Sequence, residues 1–482
     1  MSLPVTRRRP SLGARVTVAL LLAAVPGGAA ANGRYPAAQY VVRGGDVTAL
    51  RATWGLLLQR GSGGPFAWVC EEALGYAGDF DPSIAVDARG DVLVGLFDGL
   101  ARLSPETCGV TRVADTAGLG VVDVDATRDG RRIVALWSSG FVSGADGITA
   151  GLLRSRDGGT TWERAPLATR DVLWSTVEID RADVERLWLT GVRLSPRAVL
   201  FARSDDFGAT VDVWPLEPGT PEGVESAFVA GSDATDRDTV WVRAPRPLSR
   251  DDAGALRDGA DLLRSTDGGR RWTRVLRADA PLTGFALSTD GRVAFAGGPG
   301  LGLLRTVDAG ARWTRLAAVE PTCLRWHEGA LLVCADAVRD GFTLAESRDR
   351  GETLRPLTTF CDVRGPLSCA GLGATAVCAS AWPQQRVVLG CGTSPRPPEL
   401  DAALVPDATA VVDATELPPL RDATVDDRAP PRIDATTATP TAPTSCAVSS
   451  RARGGDRAPA LALAAALLAV GARRRRPRAT RP

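Results

Sequence analysis

From about Tyr35 to Gly392 the chain alternates short apolar runs with turns rich in Gly and Asp. The stretch from Leu282 to Leu316 shows the layout. Thr283-Gly284-Phe285-Ala286-Leu287-Ser288 leads to the turn Thr289-Asp290-Gly291, then to Arg292-Val293-Ala294-Phe295-Ala296 and a Gly-rich link. Leu303-Leu304-Arg305 and Trp313-Thr314-Arg315-Leu316 follow, joined by a second Asp-containing turn. Runs of this length, bounded by turn residues, predict β-strands. No helical period survives over a dozen residues before the C-terminal tail, so the pattern predicts an all-β domain.

The second turn recurs. Read as S/T-x-D-x-G-x-x-W, it occurs at Ser155, Asp157, Gly159 and Trp162, at Ser265, Asp267, Gly269 and Trp272, and at Thr306, Asp308, Gly310 and Trp313. Ser204-Asp205-Asp206-Phe207-Gly208 and Ser347-Arg348-Asp349-Arg350-Gly351 keep the turn without the Trp. Ser62-Gly63-Gly64 before Trp68 and Ser104-Pro105-Glu106 before Cys108 occupy its place in the first two units. Successive turns lie 41 to 61 residues apart, the length of a four-stranded unit. An Asp carboxylate there can accept backbone N–H groups, glycine supplies a positive φ, and the aromatic returns to the core.

These turns resemble the Asp-box, or BNR, repeat of β-propellers in the sialidase-like and photosystem-assembly-factor-like superfamily. The resemblance implies a propeller with the turn on the outside of each blade, serving the blade rather than a reaction. Seven turn positions predict seven four-stranded blades over residues 32–392, with six or eight as the alternatives because the first two turns are degenerate; a single blade cannot bury both faces and a ring of blades does. Trp68, Trp162, Trp272 and Trp313 are expected in the core, as are Trp54, Trp137, Trp188 and Trp241. The inserts Gly140–Gly151 and Pro245–Asp261 are expected as loops on the blade tops. The segment from Cys361 to Gly392 either completes a blade or forms a disulfide-tied cap.

Composition narrows the compartment more than the chemistry. The chain has no lysine, so all 57 basic residues are arginine; 56 acids interleave with them and the net charge is +1. That balance leaves no basic stripe and excludes a nucleic-acid partner. Arg7-Arg8-Arg9, the apolar run Val16–Val25 and Ala29-Ala30-Ala31 read as a signal peptide over residues 1–31. Cys70, Cys108, Cys323, Cys334, Cys361, Cys369, Cys378 and Cys391 allow four disulfides in an oxidising compartment. Pairing Cys70 with Cys108 and Cys323 with Cys334 leaves the last four to pair among themselves. No C-x2-C spacing occurs and His327 is the only histidine, so no zinc site is expected.

After Gly392 the composition changes. Residues 393–445 hold ten prolines, no aromatics and four Asp-Ala-Thr copies, at Asp407, Asp413, Asp422 and Asp434. Such a segment buries too little apolar surface to offset chain entropy and is expected as a disordered stalk. Residues 446–482 then give Cys446, an apolar run Ala458–Ala472 and Arg473-Arg474-Arg475-Arg476. Fifteen residues span about 22 Å as a helix, short of a ~30 Å hydrocarbon core. This order resembles the myxobacterial MYXO-CTERM sorting signal. The resemblance implies a short C-terminal transmembrane helix, its removal by a sorting protease, lipid attachment at Cys446 and display on the outer membrane.

Catalytic candidates are sparse. The sialidase mechanism implied by the Asp-box resemblance requires a late Tyr nucleophile, but Tyr35, Tyr40 and Tyr76 are the only tyrosines. A glycoside hydrolase working through paired carboxylates is the alternative, with Asp79, Asp81 and Asp123 as candidates that also read as turn and strand-end residues. Asp123 to Gly130 weakly resembles a calcium loop but reads better as a strand ending in an Asp-Gly turn. His327, beside Trp326, reads as blade structure. The chain is therefore expected to be a monomeric, exported, non-enzymatic binding module without cofactor or metal, whose partner is a glycan or protein at the cell surface. Carboxylates converging on a central channel favour the hydrolase; a channel of arginine and apolar groups favours the binding module.

Overall fold

The computed structural model describes residues 34–391, apart from 62, 140–146, 168, 217–223, 251–255 and 370–372, together with 411–413. The signal peptide, the Ser62 turn position, Cys446 and the C-terminal tail lie outside the described residues. Strands β1–β29 are numbered in chain order. The first 28 form seven antiparallel sheets of four consecutive strands each.

Each sheet is a simple meander and the sheets stand around one axis. Their first strands line that axis: β1 (Ala38–Gly44), β5 (Ile84–Val86), β9 (Gly120–Ala126), β13 (Val172–Ile179), β17 (Phe228–Ser232), β21 (Gly284–Leu287) and β25 (Cys323–His327). Contacts run from each of these to the next, and β25 meets β1 to close the ring. The chain is a seven-bladed, all-β propeller.

The second strand of a blade is sandwiched by neighbours on both faces. Val92–Leu96 and Ala330–Cys334 are accordingly buried at every position. Burial on both sides explains why the sequence there is a continuous apolar run rather than an alternation. The apolar residues fall into seven clusters among the described residues, one at each blade-to-blade interface. There is no single core, and stability comes from stacked neighbours.

The five recognisable turns share one geometry, whether or not the Trp is present. In the copy at Ser265 the hydroxyl donates to Asp267 Oδ1 at 2.9 Å and accepts the Gly269 N–H at 2.9 Å. Asp267 Oδ1 also accepts the Arg271 N–H at 2.8 Å. The residue before the glycine is left-handed in all five, including Phe207, Ala309 and Arg350, and the glycine that follows has φ between +78° and +95°. That glycine also meets the preceding blade: a Cβ at Gly269 would stand 2.2 Å from the Phe201 ring. The turn therefore ties two blades together, beyond the single-blade role expected of it.

A recurring arginine on the third strand completes this tie. Arg102 donates to the Gly159 carbonyl, Arg154 to that of Phe207 and Arg305 to that of Arg350, each in the next blade. Trp214 Nε1 does the same for Gly269 at 2.8 Å. Of the expected core tryptophans, Trp54, Trp68, Trp188, Trp241, Trp272 and Trp313 are buried, whereas Trp137 and Trp162 are only half-buried. The insert expected as a loop at Pro245–Asp261 is instead an extended hairpin of β18 (Val240–Arg250) and β19 (Leu256–Ser265).

Ring closure corrects the cysteine pairing. Cys323–Cys334 forms as expected, but Cys70 pairs with Cys378 and Cys108 with Cys369, leaving Cys361 with Cys391. The reason is spatial. After the last blade the chain returns over the first, where Trp68 accepts from Leu367 and donates to Gly365, both at 2.7 Å. Two short helices, Gly373–Ala379 and Trp382–Val388, follow and seat Trp382 against Trp68. The described residues from Cys361 to Cys391 thus form a disulfide-tied cap, and its helical pieces were not expected from the sequence. Within the expected stalk, β29 (Val411–Asp413) pairs with the outer strand of blade 6, β24 (Arg312–Ala317); the rest of the stalk lies outside the described residues.

Candidate functional site

Alternate residues of an inner strand face the axis, so seven strands project a ring of side chains into one cavity of about 960 Å³. Its wall at blades 3 and 4 carries Asp123, Asp125, Thr176 and Glu178. Blade 1 adds Tyr40 and Arg43, blade 5 Phe228 and Arg243, and blade 7 Arg325 and His327.

The acidic wall has a structural duty. Asp123 Oδ2 accepts the Val177 N–H and Asp125 Oδ2 the Ile179 N–H, each at 2.9 Å. Thr176 Oγ1 repeats the arrangement one blade on, accepting the Val229 N–H at 3.1 Å. An inner strand has no hydrogen-bonding partner strand on its axial edge, and these side chains supply the missing acceptors.

Burial pushes the Asp123 carboxyl up to about 7 despite the Val177 N–H that favours its charged form. Glu178 is likewise pushed up to about 7 by burial, against the pull of Arg181, and Asp125 is raised for the same reason. Glu178 Oε1 is buried without a hydrogen-bond partner. Arg325 sits against this wall: it donates to the Tyr40 hydroxyl at 2.7 Å and is held above its ordinary value by Tyr40, Asp125 and Glu178.

Of the three carboxylates singled out in the sequence, only Asp123 reaches the channel. Asp81 is bound by Arg34 through both oxygens, at 2.7 and 2.8 Å, and Asp79 is exposed away from the cavity. Asp125 and Glu178 were missed; alternation of acids with apolar residues in Val121–Ala126 and Thr176–Ile179 was the available signal. The calcium-like run is a strand and a turn: Asp129 accepts the Thr127 hydroxyl and the Arg131 N–H. His327 ends β25 at the channel mouth, half-buried, where burial pushes it below 6.5. Across that mouth Arg128 of blade 3 pairs with Glu328 of blade 7. No cluster of three or more metal-ligating side chains is found among the described residues.

Seven meandering sheets around a polar channel define a seven-bladed β-propeller with a mixed-charge central cavity. No family profile matches the sequence, and no curated protein matches it. Among solved structures it is similar to an ancestral GH74 enzyme at 11% identity and a TM-score of 0.40, over 67% of this chain and 54% of that one. It is also similar to the GH74 xyloglucanase from Xanthomonas campestris, at 18% identity and a TM-score of 0.25, over 64% of this chain and 53% of that one. A third likeness is to the Cps50 (Swd1) β-propeller domain of Myceliophteria thermophila, at 11% identity and a TM-score of 0.36, over 63% and 94%. The chain spans about half the length of the two GH74 proteins. The fold assignment rests on the seven sheets themselves.

Proposed function

We propose that this protein is an exported, surface-tethered, non-enzymatic propeller that binds its ligand, a glycan or a protein, in the central channel. The observation that carries the reading is the use of the channel carboxylates. Asp123 and Asp125 each hold a backbone N–H of the next blade, and Arg325 and Tyr40 face them, so the wall is built for recognition and for holding the ring. Four disulfides fit export to an oxidising compartment. The signal peptide, the sorting protease acting on the C-terminal segment, the lipid at Cys446 and the outer-membrane anchor complete the proposal from the sequence. It is read as a monomer with no nucleic-acid partner.

A second reading keeps one observation of its own. Glu178 and Asp123, both pushed up to about 7, stand on neighbouring inner strands, and a carboxyl that keeps its proton near neutrality is what the acid of a glycoside hydrolysis requires. A glycan array probed with the oxidised protein separates the two, with bound glycans analysed by mass spectrometry. Binding without cleavage supports the module. Cleavage that disappears in Glu178→Gln replaces it with the hydrolase.

A further inference from the structure

Among the described residues, Arg243 is the channel cation with no acid against it. It lies on β18 directly opposite Phe228 of β17 in the antiparallel register. Its guanidinium stands 5.5 Å from the Phe228 ring centroid. Its hydrogen bond goes to a neutral acceptor, the Leu282 carbonyl. The other channel arginines have acids near them: Arg43 has Glu346 at 3.5 Å, Arg181 has Glu178 at 3.9 Å, Arg128 pairs with Glu328, Arg325 feels Asp125 and Glu178, and Arg51, bonded to the Asp81 and Pro82 carbonyls, acts on the Asp81 carboxylate. Among the described residues no carboxylate acts on Arg243, and burial lowers it from its ordinary value.

A guanidinium withdrawn from water is costly unless an anion meets it. Here the cavity opens on the group instead. Phe228 supports its face, which leaves the edge of the planar fork to donate in pairs to two oxygens of one anion.

The geometry points to an oxyanion subsite at Arg243, taking a carboxylate or sulfate carried by a hydroxyl-rich ligand. The inference rests on the channel reading above and deepens it. Asp123, Asp125 and Glu178 offer hydrogen bonds to ligand hydroxyls and give an anion no counter-charge, so they orient such a ligand with its charged group toward blade 5. Tyr40, Phe228 and Trp326 line the same cavity and add apolar surface beside these polar groups. A neutral ligand leaves Arg243 unmatched, which makes charge on the ligand the source of specificity.

The test is calorimetric titration of the full oxidised chain with three probes of equal length: an oligogalacturonate, a sulfated galacto-oligosaccharide and a neutral galacto-oligosaccharide. Wild type, Arg243→Lys and Arg243→Met are compared, with a thermal melt of each. One charged probe is expected to bind, to weaken about tenfold or more in Arg243→Met, and to weaken less in Arg243→Lys. Which charged probe binds assigns carboxylate or sulfate. The unliganded Arg243→Met protein is expected to melt no lower than wild type, because a desolvated charge has gone. Equal binding of neutral and charged probes, unchanged in Arg243→Met, overturns the subsite and leaves the channel reading standing. Failure of both charged probes overturns the subsite too, and the array result then decides the channel reading separately. A clear fall in melting temperature in Arg243→Met assigns the residue a structural role and overturns the proposal.

Discussion

The carboxylate of Asp123, on the inner strand of blade 3, accepts the backbone N–H of Val177, on the inner strand of blade 4, at 2.9 Å. Two residues on, Asp125 does the same for Ile179. The seam between two blades, a place where strands cannot pair, is closed by side chains. The same side chains form the acidic wall of the cavity, so recognition and ring closure share residues.

That arrangement makes stability depend on pH. Asp123 and Glu178 are raised from 3.8 and 4.5 to about 7, so the folded chain holds protons that the unfolded chain has released. Their contribution is complete below the unfolded values, declines as pH rises toward 7 and is lost above it. Melting temperature should fall between about pH 4 and 7 and level off above that. Asp123→Asn keeps an oxygen for Val177 and removes the titration, so its profile should be flatter, converging with or exceeding wild type at pH 8. Parallel profiles for the two proteins would refute the assignment.

The turn aspartates work in the opposite sense. Asp157 is held at about 2, chiefly by the Thr161 N–H and hydroxyl, so what it contributes is present above 3.8 and lost as pH falls toward 2. Acid unfolding of Asp157→Asn should accordingly begin from a weaker protein and show a shallower dependence below about pH 4. Circular dichroism during acid titration reads this directly.

Gly269 answers to two constraints at once, a φ of +84° and the Phe201 ring of the preceding blade. Gly269→Ala should destabilise by about 2–4 kcal/mol through strain and overpacking together. Ser265→Ala loses one hydroxyl that serves Asp267 and Gly269, and should cost about 1–2 kcal/mol. Urea unfolding orders the two; a smaller loss in the glycine variant would show that the blades slide apart to accommodate the methyl.

The disulfides should rank by the loops they close. Cys70–Cys378 spans 308 residues and Cys323–Cys334 spans 11. Chain-entropy scaling gives upper limits of roughly 5–6 and about 3 kcal/mol. Replacing Cys70 and Cys378 by Ala should lower the melting temperature more than replacing Cys323 and Cys334. It should also expose the cap between Phe360 and Cys391 to protease before the blades are cut. Simultaneous cutting of cap and blades would show that the ring does not survive without its staple.

Arg186 is 4% exposed and binds Asp205 of its own blade at 2.6 Å and Asp238 of the next at 2.7 Å. Its guanidinium also covers Trp188 at 5.1 Å. Arg186→Met preserves the packing and removes the bridge, and should cost about 1–3 kcal/mol, measured by urea unfolding in low salt. Little change on adding salt is expected, because the pair is shielded on one side by protein.

The repeat itself was legible because its physics is local. A Ser or Thr hydroxyl, an Asp and a glycine within five residues settle the turn without outside help, and five turns in series fix the unit length. Strand content and blade number followed, since short apolar runs between such turns have nowhere else to bury themselves. The sequence could not say where Cys70 would find its partner, because the return of residue 378 to blade 1 depends on a ring closing over some three hundred residues. Nor could it gather Asp123, Asp125, Glu178, Arg243 and Arg325, which stand on four different blades and meet only at the axis. Residues that act within one turn are written in neighbouring letters; residues that act across the channel are brought together by the curvature of the whole ring, and only the tertiary structure decides which of their charges find partners.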